Sequence, residues 1–431
     1  MDEGTVRGVR SRARAGGRDS AAAGGDVVTT LPGLGLELPA SWGVATLAEV
    51  TSKIGSGATP RGGSSVYVAS GPALIRSQNI HDHEFKPEGL AFLSQEAAAA
   101  LRGVTVETGD VLINITGDSI LRTAVVPESV LPARVNQHVA IVRSNGSIDP
   151  GFLQKWLSLP LMKEYMLGHS SGGTRKAITK GHLQSFPIPL PPLAEQHAIA
   201  ATLGALDDKI ESNRRAVVSI SGLLDAQSEK FGAGLPTVPL GVIASSVKDT
   251  VNPSKLGDEV VDHFSLPAFD SGAQPERVAA ATIMSNKLRV PQRAVLLSRL
   301  NPRFNRTWWA SAGAEASALA STEFLVLASE DDLELAGVWL AVRDPFFREE
   351  LPKRVTGTSG SHQRVRPDDV LTIEVPDFRS AAPEVKQSTL ALLMRAESLR
   401  MESDRLTALR DALLPELLSG RSRVPVEGIA A

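Results

Sequence analysis

The chain repeats its own pattern of apolar runs in two halves. In the first half, a Val/Ile/Leu-rich run at 110–115 is followed by a second run at 139–142. In the second half, runs of the same kind occupy 294–299 and 324–327. Short apolar runs rich in β-branched residues predict buried strands. The chain is therefore expected to contain two units built on similar sheets.

A polar loop and an apolar, proline-containing segment follow these runs in each half. The first loop contains Gly173 and leads to Pro189, and the second contains Gly360 and leads to Pro376. The two glycines and the two prolines are separated by the same offset, 187 residues. Four matched elements in one order indicate an internal repeat with a pseudo-two-fold relation between its copies.

Each half ends in a long segment whose apolar residues recur at alternating spacings of four and three, the spacing of a coiled-coil seam. The first seam is Ile199, Leu203, Leu206, Ile210, Asn213, Val217, Ile220 and Leu224, and the second is Val385, Thr389, Leu392, Ala396, Leu399, Ser403, Leu406, Arg410 and Leu413. Asn213 and Ser403 either fix the helix register from buried positions or are solvated irregularities. Because each apolar stripe needs a cover, the two helices are expected to pair as an antiparallel coiled coil.

Composition excludes several classes of protein. The 431 residues are 42% hydrophobic and 22% charged, which is typical of a globular chain of two or three domains. No run of about 18 apolar residues occurs, which argues against a membrane span. The absence of cysteine excludes disulfides and thiolate sites, and it fits the cytoplasm. A net charge of −3 means that contact with nucleic acid has to come from local basic patches.

These patterns predict a mixed α/β (α+β) fold, with two similar globular units separated by two long paired helices. The predicted segments are a disordered tail or misplaced start at 1–37, the first unit at 38–190, a spacer helix at 191–234, the second unit at 235–378, a second spacer helix at 379–420 and a C-terminal tail at 421–431.

Catalytic signatures are missing from the sequence. It contains no GxxxxGK[ST] loop, no GxGxxG after a strand, no HExxH and no GxSxG. Asn301–Phe304 is similar to the Asn-Pro-Pro-Phe motif of amino-methyltransferases, but Arg303 replaces the second proline and no glycine-rich cofactor loop precedes it. His81–Glu84 has metal-ligand residue types on alternating faces, which favours a surface loop. We expect no catalytic residue and no metal site, and we expect Trp308 and Trp309 in the core.

Two polar loops, at 168–184 and 353–366, carry basic residues and no acidic ones. Lys and Arg neutralise DNA phosphates, small hydroxyl residues bond phosphate oxygens, and glycine permits close approach. The expected phosphate or loop contacts are Thr174, Arg175, Lys176, Lys180, Lys353, Arg354, Ser361, Arg364 and Arg366.

Base reading needs side chains that match base edges, such as Arg for guanine and Asn or Gln for adenine. The candidates are Gln78, Asn79, Asn136, Gln137, His138, Arg299, Asn301, Arg303, His362 and Gln363. For each of them, the alternative is a role in forming a turn or solubilising a loop.

Several segments match a known family. The helix start Pro-Leu-Pro-Pro-Leu-Ala-Glu-Gln at 189–196 continues to Leu-Asp-Asp-Lys-Ile at 206–210, and Leu-Leu-Pro-Glu-Leu-Leu-Ser-Gly at 413–420 closes the second helix. Leu-Pro-Ala-Ser-Trp at 38–42 and Asn-Gln-His at 136–138 are further marks. With these motifs the chain resembles the specificity (S) subunit of type I restriction-modification systems.

The resemblance covers about residues 38–424 and implies a protein without a catalytic centre of its own. In that family, two target recognition domains each read one half of a split DNA sequence. Two helices set the gap between the halves and dock two modification subunits, which bind S-adenosylmethionine and methylate adenine. Restriction subunits, which use ATP and magnesium, cut DNA. The implied partners are therefore double-stranded DNA and these subunits, with no cofactor on this chain and no membrane. Since the two units differ in sequence, the implied target is asymmetric.

One departure and two alternatives stand beside this interpretation. The start of the second helix, at 376–383, lacks the Pro-Pro-Leu-x-Glu-Gln pattern, and Gln387 stands near the expected glutamine. The chain is alternatively an inactive or decoy relative that has lost DNA recognition. A standalone nuclease or methyltransferase is the third interpretation, and binding of S-adenosylmethionine by the chain alone would favour it.

Overall fold

The computed structural model describes residues 29–170, 176–313, 316–356 and 363–425. Residue contacts divide the chain into two compact units. The first comprises residues up to 201 together with those from 414 onward, and the second comprises 202–413.

The first unit alternates short strands with short helices. Its strands are β1 (Thr29–Leu31), β2 (Leu36–Leu38), β3 (Gly43–Thr46), β4 (Thr51–Ser56), β5 (Tyr67–Ile75), β6 (Ile80–His81), β7 (Glu84–Phe85), β8 (Ala91–Leu93), β9 (Thr105–Val106), β10 (Val111–Asn114), β11 (Thr123–Val125), β12 (Ala133–Val135), β13 (Val139–Ser144) and β14 (Pro187–Leu190). Its helices are α1 (Gln95–Ala100), α2 (Pro150–Ser158), α3 (Pro160–Gly168) and α4 (Lys180–Ser185), and the long helix α5 (Leu193–Gly232) begins in it.

Two four-stranded sheets form the centre of the first unit. One has the strand order β11-β10-β13-β4 with antiparallel neighbours, and the other has the order β8-β5-β12-β9 with β5 and β12 parallel. Val111, Leu112 and Ile113 in β10 are fully buried. An unbroken apolar run suits a strand that is covered on both faces.

A hairpin of β1 and β2 precedes these sheets, pairing Thr29 with Leu38 and Leu31 with Leu36. Leu31 and Leu38 are buried, at 0% and 1% exposed. The tail predicted for 1–37 therefore does not extend over 29–37, because Leu31 packs in the core. The Gly-, Ala- and Arg-rich composition of the whole segment gave no sign of this single buried side chain. Residues 1–28 lie outside the described ranges.

The second unit follows the same order. Its strands are β15 (Thr237–Pro239), β16 (Ser245–Ser246), β17 (Thr250–Val251), β18 (Val260–Phe264), β19 (Glu276–Ala279), β20 (Lys287–Arg289), β21 (Arg293–Ser298), β22 (Thr307–Ser311), β23 (Ser317–Ser321), β24 (Phe324–Ala328), β25 (Val355–Thr356), β26 (Arg364–Val365) and β27 (Glu374–Pro376). Its helices are α6 (Leu240–Ile243), α7 (Leu266–Asp270), α8 (Asp332–Arg343), α9 (Pro345–Glu350) and α10 (Pro367–Leu371), followed by the long helix α11 (Pro383–Leu418).

The sheets of the second unit repeat those of the first. The order β22-β21-β24-β16 matches β11-β10-β13-β4, and β19-β18-β23-β20 matches β8-β5-β12-β9, with β17 added at its edge. The parallel pair recurs as β18 and β23. The predicted internal repeat of mixed α/β units is confirmed.

The adjacent tryptophans of β22 both lie in the core, as predicted. Trp308 and Trp309 are 3% and 4% exposed. The ring of Trp308 lies 4.7 Å from that of Phe264 and 6.2 Å from that of Phe324, measured between centroids.

The two long helices pair within the second unit. Asp207 bonds Arg410, and Gln227 accepts a hydrogen bond from Thr389, so partner numbers fall along α11 as they rise along α5. The pair is therefore antiparallel, and every residue of the two predicted seams is buried or half-buried. At about 1.5 Å per residue, the 40 residues of α5 span about 60 Å. The predicted fold class, with two long antiparallel helices, is confirmed.

The second turn of each long helix is tied to the start of a shorter one. In the first unit, buried Gln196 accepts a hydrogen bond from the backbone of Asp149 at the start of α2. In the second unit, buried Lys386 bonds Glu334 at the start of α8. Gln387, which the sequence placed near the expected glutamine, is exposed. Lys386 fills the buried position instead, because Glu334 provides a charged acceptor there.

Candidate nucleic-acid interface

The same hairpin loop connects β10 to β11 and β21 to β22. In the first unit, Asn114 N donates to Arg122 O at 2.9 Å, and in the second, Ser298 N donates to Arg306 O at 2.9 Å. We name 115–122 and 299–306 the hairpin loops. Each loop also contains a turn closed by a backbone hydrogen bond of 3.1 Å. In the first loop, Ile120 N donates to Gly117 O, and in the second, Phe304 N donates to Asn301 O.

A short turn before β13 or β24 lies beside each hairpin loop. Ile115 N donates to His138 O at 3.0 Å, and Arg299 N donates to Glu323 O at 2.8 Å. The segments 136–138 and 321–323 are therefore equivalent. The sequence had singled out only the first of them, because Ser321-Thr322-Glu323 shares no residue type with Asn136-Gln137-His138.

The two polar loops at 168–184 and 353–366, which we name the basic loops, each pair with the other side of a hairpin loop. Ile178 N donates to Ile115 O at 3.0 Å, and Val365 N donates to Arg299 O at 3.1 Å. Hairpin loop, turn and basic loop thus meet at one edge of each unit, which we name the loop edge. Thr174, Arg175, Ser361 and His362 lie outside the described residues.

Four of the predicted phosphate contacts are exposed cations. Lys176, Lys180, Arg354 and Arg366 are exposed, and none of them makes an ion pair with a residue that the structure describes. Exposed cations without acidic partners are suited to neutralise phosphates, since no internal pair has to be broken first.

Two further predicted contacts are already paired. Lys353 lies 2.7 Å from Glu350, whose hydrogen bond is the largest effect raising the pKa of the lysine. Arg364 lies 2.8 Å from Glu323, which raises the pKa of the guanidinium in the same way. Their positive charge is locally offset, so they contribute less to attraction of a phosphate backbone.

The turn at 136–138 carries exposed side chains in a connected network. His138 Nδ1 lies 2.8 Å from the hydroxyl of Thr116, and its Nε2 lies 3.1 Å from Gln137 Nε2. Gln137 also contacts the hydroxyl of Thr59, while the side chain of Asn136 accepts from the backbone of His138. Gln137 and His138 are exposed, so these two present polar atoms at the loop edge.

The remaining base-reading candidates of the first unit lie after β5. Asn79 is fully buried, accepts from Arg76 N at 3.0 Å and donates to Lys86 O at 2.9 Å. Its amide is therefore used in holding the local turn. Gln78 is exposed, with its Nε2 3.5 Å from Gly89 O.

In the second unit, the candidates divide between structural and exposed positions. Arg299 donates to Val365 O at 3.1 Å and to Thr322 O at 3.2 Å, so its guanidinium braces the loop edge. Gln363 and Asn301 are half-buried, with Asn301 N donating to Gln363 O at 2.8 Å. Arg303 is exposed at the tip of the hairpin loop.

Sequence reasoning missed Phe304, which is 55% exposed at the same tip. It named Asn301 and Arg303 as base-reading candidates, but it considered Phe304 only as part of a methyltransferase motif. An alignment of the two loops after β10 and β21 would have placed it at the loop edge.

The region of His81–Glu84 is a small hairpin of β6 and β7. Lys163 bonds Asp82, and Lys155 Nζ lies 3.2 Å from His83 Nδ1. Burial is the largest effect lowering the pKa of His81. Among the described residues, no group of three or more His, Cys, Asp or Glu side chains is arranged to hold a metal ion, and no helix has the length and apolarity to cross a membrane.

The chain is thus built from two copies of one mixed α/β unit, each with a polar loop edge. Residues 95–219 match the family model described as type I restriction modification DNA specificity domain. That segment is therefore similar to the DNA specificity domain of type I restriction-modification systems, and the resemblance of the chain to their S subunits is confirmed.

Curated relatives include specificity subunits, and a solved structure has a similar fold. The chain is 32% identical over 150 residues to the type I restriction enzyme EcoBI specificity subunit of Escherichia coli, covering 33% of this chain and 31% of that protein. It is 38% identical over 113 residues to the putative type I restriction enzyme MjaX specificity subunit of Methanocaldococcus jannaschii, covering 26% and 25%. These alignments thus span a third or less of the curated relatives. The fold is similar to the crystal structure of a type I S subunit from M. genitalium, with a TM-score of 0.57, 12% identity, and 87% and 96% of the two chains covered.

Proposed function

We propose that this protein is the sequence-specific DNA-binding subunit of a type I restriction-modification complex. The observation that carries the proposal is the loop edge, which recurs in both units with the same backbone hydrogen bonds and different side chains. A duplicated frame with different exposed residues suits a protein that reads two different half-sites. The target is therefore an asymmetric, bipartite sequence in double-stranded DNA.

Phosphate contacts come from the exposed cations at the loop edges, Lys176 and Lys180 in the first unit and Arg354 and Arg366 in the second. Gln137 and His138 are the favoured base-reading residues of the first unit, and Arg303 is that of the second, because their side chains are exposed. Asn79 and Arg299 support the loops from within, since their donors are used by backbone carbonyls.

The long helices set the gap between the half-sites and dock two modification subunits. Their outer faces carry exposed apolar side chains that are available to a partner: Val218, Leu223, Met394, Met401 and Leu409. Restriction subunits join that core. We propose recognition domains at 38–190 and 235–378, with the hairpin at 29–38 belonging to the first, and spacer helices within 191–234 and 379–420.

This chain performs no catalysis in the complex. The modification subunits hold S-adenosylmethionine, and the restriction subunits hold ATP and magnesium. The complex works on DNA in the cytoplasm.

Mapping of methylated adenines tests the proposal. The chain is co-expressed with its modification subunit in a host without adenine methylation, and methylated positions are located by long-read sequencing. The expected result is a bipartite motif with a fixed gap, of which an exchange of residues 38–190 changes one half only. A soluble complex that methylates nothing would favour an inactive relative, whereas methylation by this chain alone would favour a standalone enzyme.

A further inference from the structure

The hairpin loop of the second unit holds an aromatic side chain outward on a tight turn. Phe304 ends the short 3-10 segment Pro302–Phe304, between Asn301 and Asn305, whose φ angles of 48° and 40° are left-handed. Proline fixes its own φ, and asparagine is among the few residues that adopt the left-handed region readily. The turn therefore fixes the position of Phe304 although more than half of its surface faces solvent.

Two guanidinium groups lie over the ring of Phe304. The Cζ atoms of Arg303 and Arg306 are 4.7 and 5.0 Å from the ring centroid. Arg306 is held in place by Asp270, with 2.6 Å between Nε and Oδ1. Cation–π contacts of this kind orient the ring, and the exposed 55% of the side chain is the apolar surface offered to a ligand.

The equivalent loop of the first unit shows that the backbone does not require an aromatic residue. Gly117 and Leu121 take the left-handed positions there, with φ of 81° and 67°. Ser119 and Ile120 stand where the second unit has Arg303 and Phe304. The same turn forms without the aromatic ring, so Phe304 is not needed to build the loop.

We propose that Phe304 contacts the 5-methyl group of a thymine in the half-site that the second unit reads. This inference rests on the proposed function. The thymine methyl is the apolar feature among the base edges of the major groove, and apolar side chains recognise it by contact. The major groove, about 12 Å wide, admits a narrow protruding turn. Exposed Arg303 adds positive charge beside the ring, whereas the charge of Arg306 is offset by its ion pair with Asp270.

Deoxyuridine substitution tests the contact, because deoxyuridine lacks only the methyl group. The reconstituted complex of this chain with its modification subunits is titrated with duplexes carrying the mapped target, in which each thymine of the second unit's half-site is replaced in turn. For the unsubstituted chain, one replacement is expected to weaken binding about fourfold, the effect of burying roughly one methyl group. For Phe304→Ala, binding to the thymine duplex is expected to fall by the same factor, and the response to deoxyuridine at that position disappears.

Control variants separate this contact from general damage. Phe346→Ala removes another exposed phenylalanine of the second unit, 53% exposed on α9, and is expected to keep the full response to deoxyuridine. Phe304→Leu retains an apolar side chain and is expected to keep part of it. The inference is overturned if Phe304→Ala keeps the whole response, so that its affinities for the thymine and the deoxyuridine duplex fall by the same factor. It is also overturned if no thymine in that half-site responds in the unsubstituted chain. The proposed function fails in a different way, through a complex that shows no preference for any bipartite target.

Discussion

Asn213 of α5 donates a hydrogen bond to Glu402 of α11, with 3.0 Å between Nδ2 and Oε2. Asn213 is 2% exposed, and Lys209 Nζ donates to its carbonyl oxygen at 3.0 Å. A buried amide that is satisfied at both ends specifies which turns of two helices face each other. Asn213 is therefore not a solvated irregularity, and we expect it to fix the register of the two helices. Ser403 differs, because its hydroxyl donates to Leu399 O of its own helix at 3.0 Å.

Replacing this amide by a carboxylate is expected to destabilise the helix pair. Asn213→Asp removes the donor to Glu402 and places a second carboxylate beside it, with Lys209 as their shared cation, which should lower the free energy of unfolding by about 1 kcal/mol at neutral pH. Urea denaturation measures the change. Ser212→Asp puts the same charge at the exposed neighbouring position and should alter stability by less than about 0.5 kcal/mol. Equal effects of the two variants would contradict a register role.

An insertion in α5 tests whether the helix pair measures DNA. Asp207 pairs with Arg410 before Asn213, and Gln227 pairs with Thr389 after it. Four extra residues after Asn213 shift the seam by part of a heptad. At least one of these two pairs is then broken. We expect loss of assembly or a longer gap in the methylated motif. Seven residues added to both helices keep the seam and are expected to restore assembly. An unchanged motif after the four-residue insertion would show that these helices do not set the gap.

The salt dependence of DNA binding should separate free cations from paired ones. Arg366→Glu removes an exposed cation without an acidic partner among the described residues, and each lost phosphate contact makes the negative slope of log K against log salt shallower by about 0.9. Lys353→Glu changes a lysine that Glu350 already pairs and should move the slope less. Titration of the complex at several salt concentrations gives both slopes. The assignment of Arg366 to the interface would be abandoned if its slope matched that of the unsubstituted chain.

The repeat and the seams were predictable because each depends on local pattern. Strands covered on both faces give unbroken apolar runs such as Val111–Ile113, and a helix pair gives a seven-residue period. The loop edge was not predictable in this way. Ile115, His138 and Ile178 meet only through pairing between distant strands and loops, which no local spacing records.

The roles of individual side chains were harder still to predict from the sequence. Asn79 has the residue type of a base reader, but its amide closes a turn, and only the positions of Arg76 and Lys86 reveal that use. Lys386 replaces the buried glutamine of the first helix because Glu334 lies opposite, a match between residues that are 52 apart in sequence.

His263 is expected to make the stability of the second unit depend on pH. Burial is the largest effect lowering its pKa below 6.5, and the charge of Lys287 adds to it, while Glu276 opposes both. Because the folded state binds a proton less readily than the unfolded state, stability is retained above about pH 6.5 and falls as the pH drops toward the lower folded value. His263→Gln should flatten this dependence between pH 7 and 5 in urea denaturation. His197→Gln, at an exposed position, should leave it in place.

Arg343 connects the hairpin loop of the second unit to α5. Its guanidinium bonds Asp225 through Nε and Nη2, at 2.8 and 2.6 Å, and reaches Asn305 Oδ1 through Nη1 at 3.3 Å. Arg343→Lys keeps the charge but loses the planar fork that serves both partners. We expect binding to the half-site of the second unit to weaken about tenfold, the effect of roughly one lost charge-assisted hydrogen bond, with discrimination in the other half-site unchanged.

Duplexes with single changes in each half-site measure that separation. Arg348→Lys is the matched control, since Arg348 also approaches Asp225, at 3.8 Å, but makes no hydrogen bond to the hairpin loop within the described residues. If Arg343→Lys weakened discrimination in both half-sites equally, the guanidinium would be stabilising the chain as a whole and not positioning one loop. If only the half-site of the second unit responded, the orientation of that hairpin loop would depend on its attachment to the spacer helix.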